Sequence, residues 1–139
     1  MDKVYYFDNN ATSRVAPEVA KEMEPFFNDL YGNPSSMHFF GGGNQKYLDL
    51  ARERVARLLG CETSEILFTS CGTEADSTAL WSAVRSFPDK KHVITTRVEH
   101  PAVLNVAKHL ETQGYRVTYL PVDGAGRINL EDLKAALTP

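Results

Sequence analysis

The stretch Phe68-Thr69-Ser70-Cys71-Gly72-Thr73-Glu74 decides how this chain is read. The apolar run Ile66-Leu67-Phe68 predicts a short buried strand. A turn of small residues follows. From Ala75 a helical pattern begins, with Ala79, Leu80, Ala83 and Val84 recurring along it. The first N–H groups of a helix lack intrahelical acceptors, and the helix dipole adds partial positive charge there. A strand that breaks at such a turn and restarts as a helix can hold an anion of phosphate size. Gly72 lets a ligand approach the backbone, and Thr73 adds a hydroxyl donor. Spacing leaves two readings open: a phosphate cradle, or an ordinary strand-to-helix turn that uses Gly for its backbone freedom. The turn lacks the G-x-x-x-x-G-K-[ST] of a nucleotide P-loop. Gly41-Gly42-Gly43 follows no strand, so it is not a dinucleotide fingerprint.

Working outward, residues 4–7 form an apolar segment that reads as a strand. Asp8 to Ser13 are polar and turn-forming. Pro17 starts a helix whose apolar positions are Val19, Met23, Phe26, Phe27 and Leu30. Residues 31–43, with Gly32-Asn33-Pro34-Ser35-Ser36 and three glycines, read as a long functional loop. An amphipathic helix spans Gln45–Leu59, its apolar face being Leu48, Ala51, Val55, Leu58 and Leu59, and Gly60 stops it. Beyond the central turn come a strand at 92–95, a helix from Pro101 with Val103, Leu104, Ala107 and Leu110 on its face, and a stop at Gly114. A strand at 115–120 and a helix capped by Asn129 complete the series. The alternation of strand and helix predicts an α/β fold with a parallel sheet.

The 139 residues are one domain's worth of chain, 42% apolar and 24% charged, ordinary values for a globular protein. A net charge of -3 offers no electrostatic footprint for nucleic acid. No apolar run reaches membrane-span length, the start Met1-Asp2-Lys3-Val4-Tyr5-Tyr6 has no signal-peptide core, and the two cysteines make neither a disulfide framework nor a metal cluster. The expectation is a cytoplasmic protein with no membrane, nucleic-acid or metal partner.

Strand ends in parallel sheets gather ligands, so residues 70–73 and His100 are expected on one side of the sheet. His100 could stack on an aromatic ligand or move a proton, although spacing alone favours a residue that bonds locally at its helix start. His38 reads first as a surface-loop histidine. Cys71 lies at a helix start, where a thiol pKa can fall, but shows no adjacent base, so it reads as shaping the turn. Cys61 reads as structural. Lys90, Lys91, Lys108 and Lys134 fit solvated faces, and Trp81 fits core packing.

Taken together, several motifs resemble the cysteine desulfurases of the pyridoxal-phosphate-dependent class V aminotransferase family. They are Tyr6-Phe7-Asp8-Asn9-Asn10-Ala11-Thr12, Pro17-Glu18-Val19, Gly32 to Ser36 with His38, Ala51-Arg52, Ile66 to Glu74, Glu99-His100-Pro101-Ala102-Val103 and Tyr119-Leu120-Pro121-Val122-Asp123. Ser70-Cys71-Gly72-Thr73-Glu74 followed by Asp76-Ser77-Thr78-Ala79 is most similar to the NifS type associated with nitrogenase and nitrogen fixation. Phe7, Ser13 and the glycine-rich 39–43 depart mildly from the pattern.

The resemblance implies a fold-type-I transferase bound to pyridoxal 5'-phosphate, with residues 1–44 as an N-terminal segment and 45–139 as the start of the large domain. It implies that Gly72 and Thr73 hold the phosphate and that His100 stacks on the pyridine ring and acts in catalysis. Asn10, Ala11 and Thr12 would line the substrate side, with Asn33 and His38 near the pocket and a homodimer interface. The implied reaction removes sulfur from L-cysteine, giving L-alanine and an enzyme persulfide that is passed to an iron–sulfur scaffold protein. The family's cofactor lysine sits in Ser-x-His-Lys and its sulfur-accepting cysteine in Ser-x-Ala-Cys. Neither string occurs in these residues. The resemblance therefore implies about the first third of such an enzyme, inactive alone, with the strand at 65–69 and the strand at 92–95 not adjacent. A non-catalytic product that binds phosphate or a partner subunit, and a selenocysteine lyase or class V aminotransferase, are the alternative readings.

Overall fold

The computed structural model describes residues 4–138. Its contacts divide the chain into two compact units, with the division between Leu67 and Phe68. The expectations on Met1, Asp2 and Lys3 lie outside the described residues.

The first unit is helical. Helix α1, Pro17–Met23, opens with a proline in its first turn, and α2, Pro25–Asn28, opens with another. The single helix expected through Leu30 is therefore two. Pro25 has no N–H to give the preceding turn, and its ring crowds that turn's carbonyl. Short α3, Phe39–Gly42, sits inside the segment read as a loop and begins at His38. Helix α4 spans Gln45–Leu59 and ends at Gly60 in the left-handed region, φ 71°, which glycine enters without the penalty a Cβ carries. Phe26 meets the Tyr47 ring edge-on at 5.2 Å. An open groove of about 610 Å³ runs beside them, lined by Val19, Met23, Leu30, Leu50 and Ala51 among others. The apolar face expected on α4 is not fully covered: Leu58 is 84% and Leu59 66% exposed, and only Ala56 on that helix is buried. The helix forms by its own propensity and its i,i+4 Glu53–Arg57 pair, 2.8 Å. The face is legible, and it is covered only in part: Val55 is half-buried, while Leu58 and Leu59 at its far end stay exposed.

The second unit carries the α/β layer. Helix α5, Gly72–Ser86, is followed by β1, His92–Thr96, α6, Pro101–Thr112, β2, Arg116–Leu120, and α7, Leu130–Ala136. The two strands pair in parallel, His92 opposite Arg116 through Thr96 opposite Leu120, with α6 as the crossover. A parallel pair needs such a crossover to bring the chain back. Helices α5 and α7 complete the layer, against α6 and β2 respectively. The core is the inner side of α6: Leu110 is fully buried, and Ala102, Val106 and Ala107 are buried with it, as are Leu120 and Ala136. Val103 and Leu104, expected on that face, are half-buried. The reason is that α6 serves two neighbours, α5 and the sheet, so its covered stripe turns toward Ala102 and Val106. His92 ties the unit together through Thr118 Oγ1 at 2.8 Å and Thr138 Oγ1 at 3.0 Å.

Two expected strands do not form. Residues 4–7 are irregular and exposed, and residues 66–69 stand outside the sheet. Leu67 is 70% and Phe68 44% exposed. A strand exists only through its ladder, and among the described residues the sheet has no strand besides β1 and β2. The Ile66 carbonyl instead accepts a bond from Arg52 Nε at 3.4 Å. That the strands at 92–96 and 116–120 pair with each other and not with 66–69 agrees with the expected gap.

Candidate functional site

The central turn begins α5 with no side-chain oxygen capping the helix. Cys71, in the N-cap position, is fully extended, and Gly72, Thr73 and Glu74 make the exposed first turn. A Cβ placed on Gly72 would meet nothing within 4 Å. The N–H groups here are thus approachable from solvent, with the Thr73 hydroxyl beside them. Glu74 reaches back one turn, and its Oε2 accepts from both the Ser70 N–H and the Ser70 hydroxyl at 2.6 Å. These two bonds hold the Glu74 carboxyl below the usual carboxylate range, the hydroxyl contributing most. They also fix the turn ahead of the helix. The Thr69 hydroxyl adds a bond to the Cys71 carbonyl at 3.2 Å.

Cys71 is exposed, and its sulfur lies 3.7 Å from the Ser70 hydroxyl. The backbone N–H of Glu74, then that hydroxyl, then the N–H of Thr73 favour the thiolate and hold the thiol below its ordinary value. The same positive helix end that lowers the thiol pKa would attract a phosphate. The first-turn N–H groups, a hydroxyl and a glycine with open space make a donor set that fits a phosphate group.

His100 follows β1 and caps α6, its Nδ1 accepting from the Ala102 N–H at 3.1 Å. The local bond expected from spacing is present. With Nδ1 accepting, a neutral ring carries its proton on Nε2, and the residue as a whole is exposed. Beside it, Glu99 Oε1 accepts from the Thr96 hydroxyl at 2.8 Å, tying the turn after β1 to the strand end. The expectation that 70–73 and His100 both follow strands holds only for His100. Both instead open helices, α5 and α6, that pack against each other.

The remaining candidates lie in the first unit. Asn10, Ala11 and Thr12 sit on an exposed turn in which the Asp8 carbonyl accepts from the Ala11 N–H at 3.1 Å, the Thr12 N–H at 3.4 Å and the Tyr6 hydroxyl at 2.7 Å. Asn33 Oδ1 accepts from the Ser35 N–H at 2.9 Å, and His38 Nδ1 accepts from the Gly41 N–H at 3.2 Å, capping α3. Sequence reasoning gave no role to Asn44, a buried amide that donates to the Leu30 and Gly32 carbonyls at 2.8 Å each. The visible signal was a lone Asn immediately before the α4 pattern, a place where a cap is the ordinary reading.

The chain matches Aminotransferase class-V over residues 5–139. This chain belongs to that family. It is 59% identical over 135 residues to a cysteine desulfurase of Trichormus azollae, covering 97% of this chain and 34% of that protein. It is 54% identical over 134 residues to the cysteine desulfurase NifS of Azotobacter vinelandii, covering 96% and 33%. A solved NifS-like protein superposes with a TM-score of 0.88 at 44% identity, over 95% of this chain and 36% of that one. The class V member thus has part of the fold of the cysteine desulfurases, as the motifs implied, and spans about a third of the length of its curated relatives. Among the described residues no helix is long and apolar enough to cross a membrane.

Proposed function

We propose that this chain supplies the phosphate cradle and the stacking histidine of a NifS-type cysteine desulfurase that takes sulfur from L-cysteine and leaves L-alanine. The observation that carries this reading is the uncapped start of α5, with Gly72 and Thr73 exposed on a turn that Glu74 holds through Ser70. The N–H groups of Gly72 and Thr73 and the Thr73 hydroxyl bind the phosphate. His100 stacks on the ring. With Nδ1 held by Ala102, the Nε2 atom is the one that gives up or takes a proton near the substrate. Bound pyridoxal phosphate supplies an electron sink for a carbanion at the substrate's α-carbon. We assign Asn10, Ala11, Thr12, Asn33 and His38 substrate-side roles from the motifs they belong to. A cysteine thiolate of the full-length enzyme attacks the substrate sulfur, the C–S bond breaks with its electron pair left on carbon, and the resulting persulfide serves an iron–sulfur scaffold protein. The active form is a cytoplasmic homodimer.

Sulfide release from L-cysteine with a thiol reductant tests the reading, using protein in which this chain is continued to the length of its relatives. His100→Ala is expected to lower turnover by about 10²–10⁴-fold. Thr73→Ala is expected to weaken cofactor retention with less effect on turnover at saturating cofactor. Undiminished turnover in His100→Ala would remove the histidine from the mechanism. L-selenocysteine assayed in parallel separates the lyase reading, because a lyase would leave L-cysteine unreacted.

A further inference from the structure

We propose that Asn44 is the positioning residue of the 31–43 loop, holding Asn33 and His38 in their places on the substrate side. It is the buried polar side chain of the described residues. Its amide nitrogen donates to the carbonyls of Leu30 and Gly32, at 2.8 Å each, where the loop begins. Its backbone N–H donates to the Gly41 carbonyl at 2.9 Å, where the loop ends. One residue therefore closes the loop at both ends.

Gly41 carries the constraint inward. It is buried, and a Cβ there would run into the Asn33 carbonyl and the Ser36 side chain. Its N–H donates to His38 Nδ1 at 3.2 Å, which keeps the neutral ring proton on Nε2. Asn33 in turn accepts from Ser36 N–H at its carbonyl and from Ser35 N–H at its side chain, 3.0 and 2.9 Å. Asn44 thus acts through Gly41 on both residues. An aspartate in its place would have the same shape and set an oxygen against two carbonyls.

The substrate-side purpose rests on the function proposed above. The test uses neither cofactor nor substrate, so its failure leaves that function standing, and failure of that function leaves the loop architecture standing. Nitrogen-15 NMR of the histidine rings reads the tautomers of His38 and His100 in the 139-residue protein. Asn44→Asp and Gly41→Ala attack the same chain of bonds from its two ends. Both are expected to move the His38 nitrogens from a single Nε2–H form to averaged values. Amide exchange at Ser35 and Ser36 is expected to rise about tenfold or more. His100, whose Nδ1 has the same kind of bond in the other unit, is expected to keep its wild-type signature. Wild-type His38 shifts in both variants would overturn the proposal. So would a parallel change at His100, which would make Asn44 a general stabiliser and not a positioner of this loop.

Discussion

Residues 70–74 join two charges that respond to pH in ways the structure explains. Glu74 is held below the ordinary carboxylate value by the hydroxyl and N–H of Ser70. A depressed carboxyl stabilises the fold above its unfolded pKa, about 4.3, and loses that contribution as pH falls through the lower folded value. The Ser70 amide resonance is therefore expected to titrate below pH of about 4.3, and a midpoint at or above it would break the Ser70–Glu74 link. Cys71 is depressed by the N–H of Glu74 and by the Ser70 hydroxyl. Its alkylation by iodoacetamide should reach half its maximal rate at a lower pH in the folded chain than in urea. Equal midpoints would mean that the helix start does not act on the sulfur. At this scale the sequence showed which residues could bind an anion. It did not show Glu74 gripping Ser70, because that bond depends on where a flexible side chain turns back, which no spacing specifies.

At the scale of elements, single residues decide where two of the helices begin and end. Gly60 ends α4 at φ 71°, and Asn129 caps α7 by accepting from the Glu131 N–H at 2.9 Å. Gly60→Ala is expected to cost about 1 kcal/mol in urea denaturation, since a Cβ is disfavoured in that region although the space around it is open. Leu110 is the fully buried side chain of α6, and Leu110→Ala is expected to cost about 2–5 kcal/mol. A loss under 1 kcal/mol would mean that α6 is not the core of its unit. Pro25 acts as locally, dividing into two the helix that the apolar spacing alone joins. The strand at 66–68 shows the opposite case. Its composition reports burial, but strand formation depends on a neighbour elsewhere in the chain, so composition alone overstated it.

Over the whole molecule, the pattern of exposure follows from what the two units contain. Phe7, Leu58 and Phe39 are 90%, 84% and 96% exposed, and Leu67 and Phe68 join them. Large apolar side chains left in water favour association. The 139-residue chain is therefore expected to self-associate in sedimentation experiments as concentration rises, and a strictly monomeric chain would contradict this. The α/β class and family were legible because they rest on motif order along nearly the whole chain, residues 5–139. The proposed phosphate cradle at the start of α5 can be probed by the amide shifts of Gly72, Thr73 and Glu74, followed by NMR while pyridoxal phosphate, inorganic phosphate or pyridoxal is added. Both phosphates are expected to move these amides, and pyridoxal, without phosphate, is expected to leave them in place. Unmoved Gly72 and Thr73 amides, with shifts appearing elsewhere, would contradict the cradle.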